Sequence, residues 1–160
     1  MLTVKVICTG KLKEKFYTDA SAEYCKRLSA YCKAEVIELP EVRRSASPSP
    51  AEIEAAMKKE AAAILREIPK GAFVIPMCIE GKSMDSVSFS ELLQQGAAAG
   101  GGRICFVIGG SDGLHESVKE LGAIRLSMSK MTFPHHLARV MLLEQIYRGL
   151  NLAQGGKYHK

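Results

Sequence analysis

The sequence predicts an α/β domain, a mostly parallel sheet flanked by helices, and three observations predict it. Short apolar runs alternate with longer segments whose apolar residues recur every three or four positions, the order expected of strand and helix units wound about one sheet. The run Ile104-Cys105-Phe106-Val107-Ile108 lacks polar alternation, as in a strand covered by helices on both faces. It stops abruptly at Gly109-Gly110-Ser111-Asp112-Gly113, where glycines let the chain pack closely or take positive φ, so that backbone groups line a cleft beyond the strand's carboxyl end. From this stretch alone, a tight strand-to-helix turn without a ligand is an equal alternative.

Length and composition set the limits. At 160 residues and 47% hydrophobic, the chain suits one well-buried domain over 1–160 and is too short for two comfortable ones. No apolar run approaches the roughly 20 residues of a membrane helix. Met1-Leu2-Thr3-Val4-Lys5 leads straight into strand-like sequence without a signal-peptide pattern, so a cytoplasmic protein is expected. Cys8, Cys25, Cys32, Cys78 and Cys105 are odd in number, show no C-x-x-C spacing and fall within apolar patterns. They read as reduced core residues, with no metal site expected. The net charge of +5 is unevenly placed: Arg125, Lys130, Arg139, Arg148, Lys157 and Lys160 face a single acid, Glu144, over the last 36 residues, and the remainder is neutral. That segment, with His135, His136 and His159, suits a polyanion such as RNA; an ordinary solvated helix face with a basic tail is the alternative.

In chain order, 3–8 reads as a first strand and 13–32 as a helix carrying Phe16, Ala20, Tyr24, Leu28 and Tyr31 at helical spacing. A second strand is predicted at 34–39. The Pro-, Ser- and Arg-rich segment 40–49 reads as an exposed loop without internal structure, serving only as a connection. Ser49-Pro50-Ala51-Glu52 then opens a helix to residue 68, with Ser49 as cap, Pro50 preset for the first turn and Glu52 returning the bond of a capping box. A third strand follows at 72–79, where Pro76 argues for an edge or a bulge. A loop is expected at 80–83, and a second capping box, Ser88 to Glu91, is expected to open the next helix.

After the central strand come a short helix at 115–121, a fifth strand at 123–126 and a loop at 127–133. A long helix from Pro134 to residue 151 carries Leu137, Val140, Met141, Leu142, Leu143, Ile146, Tyr147 and Leu150 on more than one face. Its own sheet covers one face, and a second copy of the chain is the simplest cover for the other, which implies a homodimer. Residues 152–160 form a basic tail ending Tyr158-His159-Lys160. The loops at 80–83, 109–114 and 127–133 follow strands on one side of the sheet and together suit a ligand with an aromatic base and polar parts.

Four ordered motifs carry a resemblance over nearly the whole chain. They are Phe106-Val107-Ile108-Gly109-Gly110-Ser111-Asp112-Gly113-Leu114, Leu126-Ser127-Met128-Ser129-Lys130-Met131-Thr132-Phe133-Pro134-His135, Leu137-Ala138-Arg139-Val140 through Glu144-Gln145-Ile146-Tyr147-Arg148, and Tyr158-His159-Lys160. The sequence resembles the bacterial SPOUT-class methyltransferases that act on N3 of a pseudouridine in large-subunit rRNA, and departs from them at Pro76, across 83–89 and at His136.

The resemblance implies an S-adenosylmethionine-dependent enzyme modifying 23S rRNA in assembled ribosomes, active as a homodimer, with a C-terminal trefoil knot, a rare exception to unknotted topology. It implies cofactor contacts from Met77, Gly109, Met128, Ser129, Lys130, Met131, Thr132 and Phe133. His135, Arg139 and His159 are the candidate catalytic residues, and Tyr158, Lys160 and Arg148 the candidate substrate contacts. Because a sulfonium methyl is already activated, the protein has chiefly to align N3 and help its proton leave, with no metal required. A non-catalytic RNA- or ribosome-binding protein shares the basic segment and stays open at this stage. A nicotinamide enzyme is disfavoured, since no G-x-G-x-x-G follows the first strand.

Overall fold

The structure, a computed structural model describing Met1–Lys160, is a parallel four-stranded sheet in the order β2-β1-β4-β3 with helices on both faces. The strands are β1 (Thr3–Thr9), β2 (Lys33–Leu39), β3 (Phe73–Lys82) and β4 (Arg103–Ile108). The helices are α1 (Lys15–Leu28), α2 (Pro50–Glu67), α3 (Ser86–Ala99), α4 (Glu116–Lys119) and α5 (His135–Ala153). Side chains alternate across a strand, and the two central strands feed two cores. Val4, Val6, Ile104 and Phe106 meet Leu28 of α1, Leu93 of α3 and Leu143 and Ile146 of α5. Ile7, Cys105 and Val107 meet Ala61 and Ile64 of α2 and Val118 of α4. Burial on both faces explains the unbroken apolar run of β4.

Ser49 caps α2 by accepting from the Glu52 N–H at 3.1 Å, but Glu52 does not complete the capping box. Its carboxylate accepts from the Ser45 hydroxyl at 2.7 Å and from the Ser45 N–H. Nor is 40–49 a loose connector: Arg44 bonds the buried Glu60 of α2 at 2.7 Å and fastens the loop there. The second capping box is displaced as well. Asp85 caps α3 by accepting from the Ser88 N–H at 2.8 Å, since Asp is as good a cap as Ser and the earlier start sets Phe89 against Phe106, ring centroids 6.0 Å apart.

The predicted fifth strand at 123–126 does not form. Residues 122–127 run along the outer edge of β3 and make only isolated bridges, from Leu126 to Met77 and to Lys82. The reason lies in Pro76. The Val74 carbonyl accepts from the Ala123 N–H at 3.0 Å, so β3 turns these backbone groups outward at alternate residues, and Pro76, two residues on, has no N–H for that edge. Further along, Lys82 N–H donates to the Arg125 carbonyl at 2.8 Å and Ser127 N–H to the Lys82 carbonyl at 2.9 Å. Thus β3 runs through the segment 80–82 expected to be loop. The two-sided apolarity of α5 is also met largely within the chain, because α5 packs against both α1 and α3; Val140 and Met141 stay half-buried.

The clasp between β3 and 125–127 requires Gly81, because a β-carbon there would lie 2.7 Å from the Leu126 carbonyl carbon and 2.8 Å from that of Arg125. Gly81→Ala should therefore destabilise the chain by about 1–3 kcal/mol, the usual cost of forced overpacking. Urea unfolding measures this, and an unchanged midpoint would show that the clasp yields freely.

Candidate active site

Beyond the carboxyl ends of β3 and β4 lies a cavity of about 660 Å³, within the range of small-molecule sites. One wall is Met77, Cys78, Ile79 and Glu80 of β3; a second is the turn from Gly109 to Leu114; the third runs from Leu126 through Ser129, Met131, Thr132 and Phe133 to His135 and Ala138. The glycine turn closes on itself, with Gly113 N–H donating to the Gly110 carbonyl at 3.0 Å. A β-carbon on Gly109 would lie 2.5 Å from the Gly113 backbone, so no larger residue fits. The third wall is held by its own serines. Ser127 donates its hydroxyl to the Ser129 carbonyl at 2.9 Å, and the Ser129 hydroxyl accepts from the Met131 N–H at 3.1 Å.

Seven of the eight residues expected to touch a cofactor, Met77, Gly109, Met128, Ser129, Met131, Thr132 and Phe133, share this cavity. Lys130 is exposed and outside its lining. The apolar walls, the backbone groups of the turn and the volume fit a nucleoside bearing a sulfonium side chain. No group of three or more His, Cys, Asp or Glu side chains is placed to hold a metal ion. The cysteines are poor nucleophiles at neutral pH: desolvation pushes the Cys8 thiol up to about 11 and the Cys105 thiol up to about 12.

The candidate catalytic residues fall in three different places. His135 lines the cavity at the start of α5, its ring 4.1 Å from that of His136. Burial first, and then the neighbouring His136, lower its pKa, overcoming the pull of Glu41. His135 is therefore neutral at pH 7 and able to accept a proton. Arg139, one turn further on, is only 1% exposed. Its Nη1 donates to Glu38 Oε2 at 2.6 Å and its Nη2 to the Gly10 carbonyl at 3.0 Å, while Nε has no partner. Glu144, on the same helix, pairs with Arg148.

His159 lies on a second cavity of about 730 Å³ between Tyr24 of α1, Met84 and Asp85 with the first turn of α3, and Val140, Met141 and Glu144 of α5. The tail is ordered there. Tyr158 N–H donates to the Asn151 side chain at 3.2 Å, and its ring packs 4.8 Å from Tyr147 and beneath the Arg148 guanidinium at 4.7 Å. Tyr158 hydroxyl and Arg148 Nε both donate to Glu144 Oε1, at 3.2 and 2.9 Å, and Arg148 Nη1 reaches His159 Nδ1 at 3.3 Å. Lys160 is exposed. Leu126, Ser127 and Met128 line both cavities, so one strip of backbone separates the tail cluster from the first cavity.

Sequence reasoning missed Glu38 and the Arg44, Glu60 and Asp112 group. A signal for Glu60 existed: it sits on the apolar stripe of α2 with Ile53, Met57 and Ile64, and a carboxylate on such a stripe calls for a buried cation.

The family model described as "Predicted SPOUT methyltransferase" matches residues 2–159. The chain belongs to the SPOUT methyltransferase family. It is 45% identical over 159 residues to a protein of Clostridium botulinum named ribosomal RNA large subunit methyltransferase H, covering 99% of this chain and all of the relative. It is 43% identical, with the same coverage, to a protein of that name from Streptococcus equi subsp. zooepidemicus. A solved structure described as a probable methyltransferase from Bordetella pertussis shares the fold, at a TM-score of 0.54 and 13% identity over 92% of this chain and 93% of that one. In this SPOUT chain, as in open α/β sheets generally, the cavity lies beyond the carboxyl ends of the strands.

Removing Glu38 from this site leaves a buried guanidinium without its carboxylate. Glu38→Ala should cost on the order of 2–3 kcal/mol, less than a fully buried pair because Glu38 is one-third exposed. Burial raises the Glu38 pKa, but hydrogen bonds from Arg139 and the Leu12 N–H, with the charges of Arg139 and Lys11, outweigh it and leave the pKa below the usual range. A folded pKa below the unfolded one adds stability that is complete above the unfolded value and is lost as pH falls through the folded one. The urea midpoints of wild type and Glu38→Gln should therefore converge in acid and separate toward neutrality; a gap independent of pH would contradict this.

Proposed function

We propose that this chain transfers a methyl group from S-adenosylmethionine to N3 of a pseudouridine in 23S rRNA, on assembled ribosomes in the cytoplasm, as a homodimer. The observation that carries the reading is the convergence of the end of β3, the glycine turn and the 127–133 loop on one cavity, lined by seven of the eight residues expected to contact the cofactor. Membership of a methyltransferase family and the names of its relatives support the reaction and the class of RNA. When bound, S-adenosylmethionine supplies a methyl group already activated by its sulfonium.

The work left to the chain is alignment, exclusion of water and management of one proton. Met77, Met128 and Phe133 give the cavity apolar walls, and the glycine turn adds backbone donors and acceptors. His135, neutral and on the cavity wall, takes the N3 proton. Arg139 acts from beneath by holding Gly10, against which the His135 ring lies. Arg148, Tyr158, His159 and Lys160 hold the nucleotide, an aromatic ring beside cationic groups being suited to stack a base and meet its phosphate. Val140 and Met141, half-buried on α5 beside the second cavity, support a second copy as partner there. The same reading includes the C-terminal trefoil knot that the resemblance implies. No helix is long and apolar enough to cross a membrane.

Deleting residues 157–160 separates cofactor binding from methyl transfer, because the tail lines the second cavity only. In calorimetric titration the full chain and the truncated chain should bind S-adenosylmethionine alike, and only the full chain should methylate ribosomes lacking the modification. Equal activity would remove the tail from the mechanism. Absence of binding by both chains would favour a non-catalytic RNA-binding protein.

A further inference from the structure

We infer that Arg44 is a positioning residue for the cofactor cavity, holding the glycine turn in its ligand-ready shape from the far side. The inference rests on the methyltransferase reading above. Glu60 lies in α2 with its side chain 5% exposed, and it accepts from Arg44 Nη1 at 2.7 Å, Arg44 Nη2 at 3.2 Å and the Val42 N–H at 2.9 Å. These bonds fix the Arg44 guanidinium, itself 12% exposed, against the helix. Its remaining edge points to the turn, with Nε donating to Asp112 Oδ2 at 3.0 Å. Two residues earlier in sequence than Val42 the same loop follows Leu39, and its Glu41 makes a second tie by accepting from the Ser111 hydroxyl at 3.1 Å. Glu41 also lies so close to Gly110 that a β-carbon there would come within 2.8 Å of its carboxylate.

Gly110, Ser111 and Asp112 line the cavity. They form an exposed turn, with no core side chain between Ile108 and Leu114 to fix its shape. What fixes it from outside is the loop after β2, anchored in turn by a buried carboxylate. Only a planar, forked cation spans both partners at once: a lysine ammonium in the same place can stay with Glu60 but cannot also present a fixed second edge to Asp112. The loop is thus a strap across the back of the turn.

Arg44→Lys tests this without stranding Glu60, since a cation stays beside it, and Asp112→Ala cuts the tie from the other end. In the full-length protein each variant should raise the Kd for S-adenosylmethionine about tenfold, a coupling ordinary for residues in one network. The kcat of Arg44→Lys for ribosomes at saturating S-adenosylmethionine should be unchanged, since Arg44 does not line the cavity. Amide hydrogen exchange at 110–114 in the ligand-free protein should speed up in both. The double variant should be no worse than either single one, because both cut the same tie. Wild-type Kd and exchange in either single variant would overturn the inference, and so would effects on Kd that multiply in the double variant, which would mean that the two residues act separately. Failure of the wild-type chain itself to bind S-adenosylmethionine would overturn the methyltransferase reading and this inference with it, whereas normal wild-type binding with unaffected variants would overturn this inference alone.

Discussion

Two backbone hydrogen bonds decide where the last 36 residues of the chain go. Lys82 N–H to the Arg125 carbonyl and Ser127 N–H to the Lys82 carbonyl clasp 125–127 against the end of β3. Main-chain groups this close to a core must be paired, and with Pro76 interrupting the earlier part of that edge, the pairing falls at Lys82. From there the chain can only continue across the ends of β3 and β4, which brings 128–133 over the glycine turn and starts α5 beside Gly10. Release of the clasp would leave the end of β3 unpaired and the cavity without its third wall.

Around that frame, three arginines each join a loop, a strand end or the tail to a helix. Arg139 fastens the turn after β1 and the end of β2 to α5, Arg44 fastens the loop after β2 to α2, and Arg148 fastens the tail to Glu144 of α5. A buried ion pair adds little net stability, since desolvation offsets most of the attraction. Its effect here is geometric: the planar fork fixes direction as well as distance. The consequence for chemistry is that His135 and the tail cluster stand at defined positions on two cavities with a common wall.

The fold was legible where the physics is local. The apolar run of β4, the helical spacings of α1, α2 and α5 and the stop at Gly109 follow from burial and chain geometry, and each element formed within a few residues of its expected position. Two misses share a cause, since each depended on a distant partner. Residues 123–126 have strand-like composition, yet Pro76, some 47 positions away, withholds the donor a ladder needs. The loop 40–49 has the composition of a free linker, but Glu60 and Asp112 pin Arg44. Nothing in the periodicity of α5 shows that α1 and α3 cover both its flanks. The cavity was legible through motif resemblance, because small and apolar residues in one strand end and two separated loops converge only in the folded chain. The burial of Arg139 was not, since a basic residue on a helix gives no sign of which side chain will meet it.

The most direct measurement is methyl transfer from labelled S-adenosylmethionine to ribosomes lacking the modification, with the labelled nucleotide located by mass spectrometry. Label on N3 of a pseudouridine in 23S rRNA is the expected result, and it would establish cofactor, reaction and substrate together. Label on another atom or another RNA would contradict the assigned substrate while keeping the cavity's role. Absence of label, with the cofactor unbound, would contradict the role of the cavity between β3, the glycine turn and the 127–133 loop.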